Sequence, residues 1–176
     1  MKETTAKKKF MWNMAGSLCN SLSSMLLLII VNRISGESRG GFFALAYSTA
    51  QLLFSVGGFE IRPVQSTDIK NKFTFDQYFT SRMLNCIIML ICMIGYIVVN
   101  GYTGVEALTV FWILGYRMVE AVADVYSGLF QQRERIDISG KEMLMRSGIS
   151  TITFTIILWL TDNLLYAAMT LTLTSL

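Results

Sequence analysis

Apolar residues in this chain gather into six blocks, at about 10–34, 41–59, 78–99, 105–129, 143–160 and 164–176, with short polar intervals between them. A helix needs about 20 mainly apolar residues to cross a bilayer. Five of the blocks meet or approach that length, which predicts an all-α, polytopic transmembrane bundle. The sixth reaches only about 13 residues by Leu176, so the reading expects an incomplete sixth helix and a chain that is an N-terminal fragment. The intervals Ser35–Gly40, Asn100–Gly104 and Thr161–Asn163 read as tight turns. A longer polar connection after Phe59 holds Pro63, the one proline. Gln131–Arg146 reads as a charged loop with a short interfacial helix. Residues 1–9 form a basic tail ahead of a transmembrane domain that spans 10–176. The first apolar block is too long for the core of a signal peptide.

Polar residues inside the blocks fall on stripes. In the fourth block Arg117, Glu120 and Asp124 are three and seven residues apart, on one face of a helix. Ionisable groups at membrane depth are costly and face a bundle interior or a water-filled cavity. Both signs on one stripe point to a structural ion pair that locks helices, or to a polar path for a substrate. In the first block Asn13, Ser17, Asn20 and Ser24 form a second stripe, suited to helix–helix hydrogen bonds or to lining a cavity. Ser147, Thr151 and Thr155 stack at four-residue steps, a spacing that lets helices approach closely.

Composition narrows the function. Hydrophobic residues make up 53% of the 176 and charged residues 15%, well below the share of about 25% usual for soluble domains. The mean hydropathy is +0.49. Histidine is absent, and Cys19, Cys86 and Cys92 match no zinc or redox spacing. No metal or cofactor is expected, and no nucleotide or hydrolase motif occurs. The net charge of +3 does not imply nucleic acid, because the basic residues lie between apolar blocks rather than on one element. Twelve of the fifteen fall on one side of the predicted topology, in the N-terminal tail and around the second and fourth connections, with Arg82 and Arg146 counted among these flanking groups. The positive-inside rule then places the N-terminus in the cytoplasm.

The run GYRMVEAVADVYSGLFQQRERIDISGKEMLMR resembles the fourth-helix signature of polysaccharide flippases. These are bacterial exporters of lipid-linked sugars, in the superfamily that includes the multidrug and toxin extruders. The matching positions are Arg117, Glu120, Asp124, Gln131 and Arg133. The run from Leu26 to Pro63, with its exit through Gly58, Arg62 and Pro63, is similar as well. The resemblance implies one lobe of a two-lobed, MATE-like transporter in a bacterial plasma membrane, whose second lobe is a missing C-terminal half or a second copy. It also implies translocation of a polyprenyl-pyrophosphate-linked oligosaccharide, by alternating access and without enzymatic chemistry.

Arg117 is then the best-placed cation for pyrophosphate, since a guanidinium binds such oxygens bidentately. Glu120 and Asp124 would hold it, or take a proton or sodium ion during the cycle. Arg62 is either a first contact for the head group or a positive-inside anchor, and Asn13 and Asn20 are candidates for the path. Two alternatives stand beside this reading. One is a cation-coupled drug exporter, which a central arginine disfavours. The other is an intramembrane lipid-processing enzyme using Glu120 and Asp124 as acid and base, for which no long interfacial loop is present.

Overall fold

The computed structural model describes residues 2–58, 61–68 and 72–176, and among them it is entirely helical outside the turns. Six helices follow in order: α1 (Lys2–Gly58), α2 (Ile61–Thr67), α3 (Phe75–Val99), α4 (Gly104–Gln132), α5 (Ile136–Thr161) and α6 (Leu164–Leu173). The all-α bundle is as the hydrophobic pattern predicts.

α1 is two helices in one. Gly36 takes φ 84° and ψ 172°, a backbone conformation that only glycine adopts cheaply. The chain doubles back there. The Tyr47 hydroxyl donates to Ser24 Oγ at 3.0 Å, although 23 residues of straight helix would put them roughly 35 Å apart. A Cβ on Gly40 would stand 2.8 Å from Asn32 Cγ, so the two arms meet close to the bend. The predicted turn over Ser35–Gly40 therefore shrinks to a single residue, and helix continues on both sides of it.

Two other predicted intervals also carry more helix than their polarity suggested. The connection after Phe59 contains α2, with Pro63 in its first turn, where a missing N–H leaves no helical bond unmade. The charged segment 131–146 contains no separate interfacial helix. α4 ends at Gln132, a tight turn passes through Glu134 at φ 56°, and α5 begins at Ile136 and runs unbroken to Thr161. Charge marks the surface of a helix as readily as it marks a loop.

α4 packs against every other helix and is the axis of the bundle. α5 lies along α1, and the two cross backbone to backbone. A Cβ on Gly16 would stand 2.8 Å from Gly140 Cα, and one on Gly140 would stand 2.6 Å from Asn13 Cα. Beyond the crossing, buried Ser147 donates to Met143 O and approaches Cys19 Sγ. Near the Gly36 bend the bundle closes on an apolar core that includes Leu27, Phe43, Met93, Ile113, Phe154 and Leu171. A smaller apolar cluster of Ile61, Tyr78 and Val125 closes the opposite end.

The outside is oily. Leu18, Leu22 and Met25 on α1, Ile87, Ile91, Ile94 and Val98 on α3, and Ile152, Trp159 and Leu160 on α5 are all exposed. Soluble monomers rarely present continuous apolar surface of this extent. Among the described residues, three segments are long and apolar enough to cross a membrane: Ala6–Ser55 (both arms of α1), Phe75–Val99 and Ile136–Thr161. α4 is not among them, because Arg117, Glu120 and Asp124, together with Glu106, crowd charge into every stretch of spanning length.

Candidate functional site

Between the two apolar clusters, α4 presents Arg117, Glu120 and Asp124 over about two turns. The structure divides them into two groups. Arg117 is 2% exposed and its Nη1 bonds Glu120 Oε2, one turn away on the same helix. Its guanidinium also lies over the Tyr47 ring, 4.5 Å from the centroid, and 5.4 Å from that of Tyr116. Asn20 Nδ2 donates to the second Glu120 oxygen at 2.8 Å. One arginine is thus boxed in by a carboxylate and two aromatic faces, a geometry that holds a cation strongly once water is excluded.

Asp124 belongs to a different group. Its Oδ1 accepts from Arg62 Nη1 on α2 at 3.0 Å, and its Oδ2 from Arg82 Nη2 on α3 at 2.9 Å. One carboxylate on α4 therefore ties two neighbouring helices to it. The sequence reading had Glu120 and Asp124 holding Arg117 together. Glu120 alone does so, and Asp124 serves Arg62 and Arg82. Arg62 is accordingly a half-buried partner of Asp124.

A third ion pair faces these from α5. Arg146 Nε contacts Glu142 Oε1 at 2.6 Å, and the Arg146 side chain is 8% exposed. The order, glutamate four residues before the cation, is the favourable one on a helix. Positive-inside counting had placed Arg82 and Arg146 in flanking segments, yet both point into the bundle. Periodicity held the missing signal. Arg82 occupies the same face as Tyr78, Cys86, Met89 and Met93, the buried stripe of α3, and Arg146 adjoins buried Ser147 on α5.

The first-arm stripe separates as well. Asn20 reaches the charged layer and Ser24 receives the Tyr47 hydroxyl. Asn13 lies at the glycine crossing of α1 and α5, away from the charged groups, and Ser17 is exposed.

A cavity of about 160 Å³ opens among these charges. Its polar walls are Asn20, Arg62, Glu120, Asp124, Ser127 and Arg146, and its apolar walls are Phe54 and Met143. Arg117 is not on the wall; it stands behind Glu120. Among the described residues, several buried polar atoms around the layer have no hydrogen-bond partner, including Arg117 Nε and Nη2, Arg146 Nη1 and Glu142 Oε2. Unpartnered buried donors are rare in folded proteins because each forfeits its hydration. No cluster of three or more metal-ligating side chains occurs among the described residues.

At the end of the bundle where α2 lies, Gln65 is fully buried against α4 at Gly128, where a Cβ would stand 2.9 Å from its Cδ. Asp68 completes the clasp. Its carboxylate accepts from the Lys72 and Phe73 N–H groups and from the Tyr78 hydroxyl, and its carbonyl accepts from Gln132 Nε2. The Lys72 N–H, first among these donors, holds the Asp68 carboxyl below its ordinary pKa of 3.8.

No family model, curated protein or solved structure matches the chain.

Proposed function

We propose that this chain is a bacterial plasma-membrane transport protein, one lobe of a two-lobed transporter, which moves a polyprenyl-pyrophosphate-linked oligosaccharide across the bilayer by alternating access. The observation that carries the reading is a buried charged layer with guanidinium donors to spare. Among the described residues, Arg62, Arg82, Arg117 and Arg146 meet Glu120, Asp124 and Glu142, and Arg117 Nε and Nη2 and Arg146 Nη1 have no hydrogen-bond partner. Buried donors of this kind at membrane depth are costly, and an anionic head group would satisfy them. Apolar surface all round leaves the lipid tail in the hydrocarbon while the polar group crosses inside.

The unsatisfied arginine donors argue against the cation-coupled drug exporter, which would need carboxylates open to its cation. The enzyme alternative needs a carboxylate free to exchange protons with substrate, whereas Glu120 and Asp124 are each held by arginine. In this proposal the N-terminus and the Arg62 end of the bundle are cytoplasmic, and a second copy or a companion lobe supplies the facing wall. Cysteines placed at Ser38 and Arg133, both exposed and at opposite ends of the bundle, should label from opposite sides of the membrane.

The deciding experiment is a flipping assay in proteoliposomes at rising protein density, with a fluorescent glycan on polyprenyl pyrophosphate and the same glycan on an uncharged lipid. Protein-dependent flipping of the pyrophosphate lipid alone is expected, rising with the square of density if two copies pair. Rates equal to those of empty vesicles at every density, or equal rates for the two lipids, would refute the reading.

A further inference from the structure

We infer that Arg146 on α5 and Arg62 on α2 are the two jaws of a phosphate-sized oxyanion subsite, and that Arg117 is its structural backing rather than a contact for the ligand. The inference rests on the proposed anionic substrate and specifies which atoms meet it.

Access comes first. Arg62 and Arg146 both line the cavity, and Arg117 does not. The Arg117 guanidinium is occupied by Glu120 and by the faces of Tyr47 and Tyr116. Arg146 is buried to more than nine-tenths, has one nitrogen on Glu142, and keeps Nη1 without any partner. Arg62 spends Nη1 on Asp124 and is 27% exposed, which connects the subsite to water. Planar guanidinium groups on two different helices suit an oxyanion with several oxygens, because each can approach a different edge of it.

Size comes second. A cavity of about 160 Å³ has room for a phosphate group, and the two guanidinium groups on its wall are the groups in it that read one.

Glu142 gives the inference its sharpest consequence. It competes with the ligand for Arg146, and its Oε2 is buried without a partner. Removing its charge by Glu142→Gln should tighten anion binding, an effect that misfolding cannot imitate.

The test is calorimetric titration of the full chain, in nanodiscs of uncharged lipid, with inorganic pyrophosphate, and in parallel with polyprenyl phosphate added to the disc. Arg146→Gln should weaken both ligands by about tenfold, the scale of one charge-assisted hydrogen bond. Arg146→Lys should recover part of that loss. Glu142→Gln should tighten binding several-fold, and exposed Arg133→Gln, with the same change of charge, should leave it unaltered. Binding of the lipid alone would mark the membrane as the source of the anion, and binding of both would mark the phosphate itself as what is read. Equal affinities for Arg146→Gln and Arg133→Gln, or weaker binding by Glu142→Gln, would overturn the subsite. Absent flipping with these affinities intact would overturn the transport reading and leave the subsite standing.

Discussion

Two faces of the bundle are built on opposite principles. Where α1 crosses α5, two glycines bring the backbones together with no side chain between them, and the neighbouring groups are small and neutral. Where α4 meets α2, α3 and α5, long charged side chains fill the space, and several of their atoms lack partners. In a bilayer, where lipid tails are as apolar as the helices, close packing of small residues is an economical way to hold helices together. A charged layer is a poor way, because desolvation can exceed the attraction it returns. The seam thus suits a scaffold, and the proposed anion site gives the charged layer a role that stability does not supply.

The largest effect separating the two faces is expected at Asp124. Asp124→Ala removes the carboxylate that Arg62 and Arg82 share, with Arg82 1% exposed, which should cost about 3–5 kcal/mol. Membrane accumulation and the melting midpoint in detergent should both fall. Little change would mean that Asp124 is not the tie between α3 and α4.

The seam should break on volume rather than charge. Gly140→Leu drives a side chain into the α1 backbone and should cost about 3 kcal/mol. Gly148, with open space around it, serves as the contrast. Gly148→Ala should be neutral or raise the midpoint slightly, since alanine favours helix by up to about 1 kcal/mol. Equal damage at both glycines would contradict the close crossing.

Smaller effects belong to the bundle ends. Arg39 pairs with Asp162 near the Gly36 bend, with both side chains about half exposed, so Arg39→Ala should cost less than about 1 kcal/mol. At the other end, backbone N–H groups hold the Asp68 carboxyl below 3.8. A carboxyl whose folded pKa is depressed contributes stability that is complete above its unfolded pKa and lost as pH falls through the folded value. The midpoint should therefore drop below about pH 4, and Asp68→Asn should flatten that acid limb. An acid limb identical in the variant would show that the clasp does not depend on the ionised group.

Much of the bundle was legible because a membrane helix writes its length into its hydropathy. Gly36 was harder to read, since one positive φ does the work expected of a six-residue turn, and composition does not distinguish them. Arg117 and Glu120 were legible as a pair from their spacing along one helix. The attachments of Asp124 to Arg62 and Arg82 were not, because they join helices 62 and 42 residues away. Arg82 and Arg146 were hidden by their places near helix starts, where a basic residue ordinarily faces water. The buried stripes on which they lie are the feature that distinguishes them.

The central claim is that the charged face of α4 encloses a space that an anion can enter from water. Ser127 lines that space and is 2% exposed. With Cys19, Cys86 and Cys92 replaced by alanine, Ser127→Cys can be reacted in sealed membranes with a small anionic thiol reagent, with and without pyrophosphate. The account predicts that the cysteine reacts and that pyrophosphate slows the reaction several-fold. A cysteine that does not react, or that reacts at the same rate in both conditions, would contradict it.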